Sequence, residues 1–154
     1  MKIIFVCTDN VGRSLAAEYC LNKYIEDNSI DGIEVISAGT DADSDTTGFS
    51  WTHFGELKKM GMDTSNHQRR QLTKELGSDA DIIIAFDNSH VEWIKQELGL
   101  DSVLFNKIYK NEDSEIICRG FGEGTCMDDW MINIAHYIHD AIPTLTQKII
   151  HYHD

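Results

Sequence analysis

Short apolar runs alternate along this chain with stretches in which apolar residues recur at helical spacing. Lys2 to Val6 is an apolar run suited to a strand buried on both faces. Arg13 to about Tyr24 sets Leu15, Ala16, Tyr19, Cys20 and Tyr24 on one helical face. Ile33 to Ser37 predicts a second short strand, ended by Ala38-Gly39, and Asp41 to Gly48 a polar loop. Thr47 to Met60 predicts a helix through Trp51, Phe54 and Leu57, with Gly61 at its C-terminal cap. Asp81 to Phe86 is the clearest buried strand, and Asn88 is placed to cap a helix that ends near Gly99. Ser102 to Phe105 predicts a fourth strand and Asn111 to Thr125 a loop. Asp128 to His151 reads as an amphipathic helix, with Pro143 inside it predicting a kink or an interruption. Strands alternating with helices predict an α/β fold with a parallel sheet covered on both faces.

Composition narrows this picture. The 154 residues fit one domain, expected to span 1–154, with neither repeats nor a linker. Thirteen basic against 26 acidic residues give a net charge of −13, which repels nucleic acid and anionic lipid. No apolar run is long enough to span a membrane, and the N-terminal run is too short for a signal peptide. The four cysteines, Cys7, Cys20, Cys118 and Cys126, lack metal-ligand spacing. They are expected to be thiols in a reducing cytoplasm.

The candidate chemistry lies where the first strand meets the first helix. Val6-Cys7-Thr8-Asp9-Asn10-Val11-Gly12-Arg13-Ser14 forms that junction. Parallel α/β folds place their sites at the carboxyl ends of strands. A strand-loop-helix junction points backbone N–H groups at an anion, here those of Thr8, Asp9, Asn10, Val11, Gly12, Arg13 and Ser14. Cys7 is expected at the bottom of this cradle, where the positive end of the helix dipole favours an anionic, nucleophilic sulfur. Arg13 offers a planar guanidinium that grips two phosphate oxygens. Ser14 is placed to donate to the sulfur, and Asn10 to brace the loop. The absence of Gly-Lys-Ser/Thr excludes a Walker loop.

With these residues in view, the sequence resembles the low-molecular-weight protein tyrosine phosphatases. The family's Cys-x5-Arg-Ser loop after an N-terminal strand matches Cys7 to Ser14. Ala16-Ala17-Glu18, Ser37-Ala38-Gly39-Thr40 and His67-x-x-Arg70-Gln71-Leu72 match further motifs, as does Asp81 to Ser89 at a strand-to-helix junction. The resemblance implies a four-stranded parallel sheet flanked by helices. It implies a cysteine-dependent phosphate-monoester hydrolase, a protein tyrosine phosphatase acting on phosphotyrosine or a related phosphoresidue, in a phosphorylated protein or small phosphate ester, without metal or other cofactor. Cys7 would attack phosphorus to form a phosphocysteine, Arg13 and the loop amides would stabilise the equatorial oxygens, and water would then release inorganic phosphate. Ser37 and His67 would join Asn10 in supporting the loop.

The chain departs from the family pattern at several points. The family's general acid lies in an Asp-Pro-Tyr/Phe motif before the last helix, and this chain has no Asp-Pro. Matching Phe121-Gly122 to the family's Phe-Gly puts Arg119 where the aspartate belongs. Glu123 is the first replacement candidate, with Asp113, Asp128 and Asp129 as others, the last two reading more readily as helix-start carboxylates. Loss of a general acid is typically worth about 10²–10⁴ in rate. Asp9 stands where many members have a neutral residue, and its carboxylate would repel phosphate unless it points outward. Gly12 replaces a common second cysteine and so removes the usual disulfide partner of Cys7. These departures leave two alternatives to a phosphatase: an inactive phosphate-binding module, or a thiol-coupled arsenate reductase relaying oxidation through Cys118 and Cys126. Trp51 is a candidate wall of the substrate cleft.

Overall fold

The computed structural model describes residues 1–47, 51–117 and 127–152. Four strands form one parallel sheet: β1 (Lys2–Cys7), β2 (Glu34–Gly39), β3 (Ile82–Ala85) and β4 (Val103–Leu104), in the order β2-β1-β3-β4. Among the described residues six α-helices accompany it: α1 (Arg13–Asp27), α2 (Thr52–Lys59), α3 (Lys74–Ser78), α4 (Asn88–Trp93), α5 (Phe105–Lys110) and α6 (Met127–Ile150).

The innermost strand explains the layering. Side chains alternate across a strand, so Ile3, Phe5 and Cys7 of β1 face one side and Ile4 and Val6 the other. The first set joins Leu15 and Leu21 of α1, Phe86, Phe105, and Ile138 and Leu145 of α6. Phe5, Phe86 and Phe105 meet there, with Phe86 stacked on Phe105 at 5.5 Å. The second set packs with Ala38, Leu72, Ile83 and Ile94. Cys7 therefore ends a strand that is paired on both edges and buried on both faces, opposite Gly39 of β2.

Several boundaries differ from those the pattern predicts. The second strand runs to Gly39, past the expected end at Ser37. The helix expected from Thr47 begins at Thr52; Thr47 instead bonds Asp45 Oδ1 through its N–H (3.0 Å) and hydroxyl (2.8 Å), a local turn that competes with helix. Asp87, not Asn88, caps α4: its carboxylate accepts from His90 N–H, while Asn88 is already helical and donates to Glu115. A π turn, Ile94–Leu98, extends α4 to a left-handed Gly99. The fourth strand is only Val103–Leu104, because Phe105 opens α5, where its ring completes the aromatic cluster. Pro143 does not interrupt α6. Its ring lies on the exposed face, and Ile138, Ala141, Ile142, Leu145 and Ile149 keep their buried stripe past it, which offsets the proline's cost of about 3 kcal/mol.

Candidate active site

The loop between β1 and α1 is held from outside, carbonyl by carbonyl. Cys7 O accepts from Thr40 N–H and Thr8 O from Asp41 N–H, each at 2.9 Å, and Gly12 O accepts from Ala16 N–H at 2.9 Å. Asp9 O accepts from Arg69 Nε at 2.9 Å, Asn10 O from His67 Nε2 at 2.8 Å and Val11 O from His53 Nε2 at 2.8 Å. The peptide bonds of this loop are trans, so each N–H opposes the carbonyl preceding it. Six outward carbonyls thus turn the amides of Thr8, Asp9, Asn10, Val11, Gly12 and Arg13 towards the inside of the loop. Gly39 lets β2 approach this closely: a Cβ there would lie 2.4 Å from Thr8 O.

Asn10 sets the bend. Its φ is 58°, a left-handed conformation that asparagine tolerates better than most residues. It is fully buried, and its side chain donates to Ser14 Oγ (2.9 Å) and Ser37 Oγ (2.8 Å) while accepting from Arg70 N–H (2.8 Å). These bonds fix the direction of the next ones. Ser14 Oγ lies 2.9 Å from Cys7 Sγ and already accepts from Asn10, so its own hydrogen is directed to the sulfur. Ser37 likewise accepts from Asn10 and donates to Glu18, which also takes Ser37 N–H at 2.8 Å. Burial raises the Glu18 carboxyl above its ordinary value, against the opposing pull of His67 and Ser37.

Arg13 is 6% exposed and donates through one nitrogen to Asp87 Oδ2 (2.9 Å) and Ile116 O (2.7 Å). Burial alone would raise the Asp87 carboxyl; hydrogen bonds from Ser89 and Arg13 outweigh it and hold the group below the usual range. His90 Nε2 lies 2.9 Å from Thr8 Oγ1. Burial, aided by the Arg13 charge, lowers His90 to about 4, so its ring is neutral near pH 7.

Asp9 does not point its charge into the loop. Ser44 Oγ donates to its Oδ1, and Arg69 donates to Ser44 O (2.8 Å) and Ser44 Oγ (2.6 Å). The carboxylate therefore faces the 41–47 segment, beside a guanidinium. Gly12 has its own constraint: a Cβ there would lie 2.8 Å from Met131 Cε of α6.

Ser37 and His67 both lie against Asn10. Asp113 is mostly exposed and lies 3.4 Å from Lys107. Asp128 and Asp129 open α6, two turns of chain or less from the Met131 contact with the loop. Glu123, Arg119, Cys118 and Cys126 lie outside the described residues. Trp51 is 44% exposed and sits edge-on to Phe54 at 5.2 Å. Among the described residues, no group of three or more His, Cys, Asp or Glu side chains is arranged to hold a metal, and no helix is long and apolar enough to cross a membrane. Sequence reasoning missed Glu18, His53, Arg69, Asp87 and His90 as neighbours of the loop. Asp87 had a signal, since an aspartate two residues before Ser89 at a strand end is a helix cap. His53 had none.

A parallel sheet whose central strand delivers a cysteine into an amide-lined turn, with a buried arginine opening the next helix, defines the class of cysteine-dependent phosphatase loops. A model of the low molecular weight phosphotyrosine protein phosphatases matches residues 2–114, and the chain belongs to that family. It is 33% identical over 99 residues to a protein-arginine-phosphatase of Bacillus subtilis (strain 168), a match spanning 64% of this chain and 64% of that relative. The low molecular weight protein tyrosine phosphatase of T. tengcongensis superposes with a TM-score of 0.78 at 27% identity, covering 96% of this chain and 99% of that one. The YwlE arginine phosphatase of Geobacillus stearothermophilus superposes at 0.77 with 26% identity, covering 98% and 94%.

Proposed function

We propose that this chain hydrolyses phosphoryl groups carried on protein side chains, in the cytoplasm, through a phosphocysteine on Cys7. The observation that supports it best is the set of six carbonyls bonded from outside the loop, which turns the amides that follow them the opposite way, towards the inside of the loop that Cys7 opens. In the first step the Cys7 thiolate attacks phosphorus and an S–P bond forms. The bond to the leaving atom breaks, and that atom takes a proton from a carboxylic acid. The loop amides and Arg13 hold the three equatorial oxygens as charge redistributes. In the second step water attacks phosphorus and gives its proton to the carboxylate. Sulfur departs as thiolate, stabilised by the Ser14 hydroxyl. Glu123, Asp128 and Asp129 are the carboxylates proposed for the proton transfer.

Phosphotyrosine and phosphoarginine are the substrates to compare, given the named activities of the relatives. Phosphate release from peptides carrying each is measured for wild type and Cys7→Ser. The expected result is release by wild type from at least one peptide, reduced by at least about 10³-fold in the variant. Equal release by the two proteins overturns the mechanism. Tight peptide binding with no release by wild type overturns the enzymatic reading in favour of a phosphate-binding module.

A further inference from the structure

His53 is 1% exposed on α2, 42 residues from the loop carbonyl it meets. A carbonyl oxygen only accepts, so His53 Nε2 carries the hydrogen that bonds Val11 O at 2.8 Å. That assigns the tautomer and leaves Nδ1 bare, a buried atom without a hydrogen-bond partner. Burial lowers the His53 pKa, in keeping with a neutral ring. A buried polar atom without a partner is a standing cost. An apolar side chain would avoid that cost, so what the imidazole adds here is the Nε2–H bond.

That bond falls where the loop is least self-supporting. The Val11 peptide continues directly into Gly12, the residue with the greatest backbone freedom. Gly12 has φ −108° and ψ −90°, and no side chain to cap the helix it precedes. Two contacts restrain it from opposite elements. Met131 of α6 lies against its Cα, and His53 of α2 fixes the carbonyl bonded to its nitrogen. The two helices are tied together by Glu56 and His136, 2.9 Å apart.

We propose that His53 is a positioning residue of the phosphate loop, aiming the Gly12 amide at the bound oxyanion by pinning Val11 O. The proposal rests on the phosphatase reading above. His53 touches no reacting atom; it acts through the peptide plane that precedes Gly12.

The test compares His53→Phe, which keeps a ring and loses the donor, with His53→Gln, whose amide nitrogen reaches the same place as Nε2. Orthovanadate and inorganic phosphate are titrated into each protein, the Gly12 amide resonance is followed, and KM and kcat are measured on an aryl phosphate. Wild type is expected to bind the oxyanions with a downfield shift of the Gly12 amide. His53→Phe should bind them about tenfold more weakly, with a reduced Gly12 shift and the larger change in KM. His53→Gln should recover most of the affinity and the shift. Oxyanion affinity and Gly12 shift in His53→Phe equal to wild type overturn the proposal and leave the phosphatase reading standing. If His53→Phe does not fold, His53→Gln against His53→Asn, which cannot reach Val11 O, makes the same comparison, and equal affinity in those two overturns it. Failure of wild type to bind either oxyanion overturns both readings.

Discussion

His53 and His67 bond neighbouring carbonyls of one loop at the same distance, yet their surroundings differ. His67 has the Glu18 carboxylate 3.9 Å from its Nδ1 and Tyr19 edge-on to its ring. His53 has Phe54 beside it and no hydrogen-bond partner for Nδ1. One flank of the loop is therefore buttressed by an acid and the other by apolar packing. His90, reaching the Thr8 hydroxyl from α4, is buried like His53, but its Nδ1 lies 3.4 Å from the Asp87 carboxylate, with the Arg13 charge also close. His53 and His67 thus perform the same geometric task in different electrostatic surroundings, and burial makes Glu18 and His53 respond to pH in opposite directions.

The largest expected effect comes from removing what both flanks converge on. Asn10→Ala deletes the bonds to Ser14, Ser37 and Arg70 N–H and puts alanine at φ 58°. A loss of about 3 kcal/mol in stability is expected, read by urea unfolding, together with about 10² in kcat/KM. A loss under about 0.5 kcal/mol would show that the two flanks stand independently.

The second test titrates the buried histidines. His90 folds with its pKa lowered from the usual value of 6.5 to about 4. Between those values the unfolded chain takes up a proton that the folded chain refuses. Stability is therefore intact above about pH 6.5 and falls as pH drops towards 4, by at most about 3 kcal/mol for this group. His53 contributes with the same sign. Unfolding free energies at pH 7 and pH 4.5 should differ less in His90→Asn than in wild type; an unchanged difference would remove His90 from the account.

Glu18 sharpens the contrast. Its folded pKa is raised, so its contribution is lost as pH rises through that folded value, opposing the histidines. Glu18→Gln keeps an acceptor for Ser37 and abolishes the titration. Its stability should fall more steeply than wild type as pH drops from about 6.5 to 4.5, and an equal slope would show that the acid does not offset the histidines.

The smallest effect is expected at Asp9. Its carboxylate already faces Ser44 and Arg69, and an asparagine oxygen accepts from Ser44 equally well. Asp9→Asn should change phosphate affinity by less than about threefold, measured by competition against an aryl phosphate. A larger gain would mean that the charge reaches the loop interior despite its orientation.

The contrast between the flanks also marks what was legible beforehand. The sheet was readable because β1 and β3 are unbroken apolar runs with no competing periodicity. The loop was readable because Cys7 and Arg13 sit where such a strand must hand over to a helix, and the family resemblance added Ser37 and His67. The short helices α3 and α5 were not, since five or six residues give too few turns for a periodic pattern. The cap of α4 was misplaced by one residue because β3 ends at Ala85 rather than Phe86. Nor was His53 legible: one histidine on a helical face carries no mark of a partner 42 positions away, which only the tertiary structure brings to it.

The Cys7–Gly12 carbonyls are fixed from β2's end, the 67–70 segment, α2 and α1, all by bonds within the chain. On the proposed function, an oxyanion entering such a ring would have little disorder left to remove. The conformational entropy of assembling the receptor is settled when the chain folds, and binding would then be chiefly an exchange of hydration water for amide hydrogens.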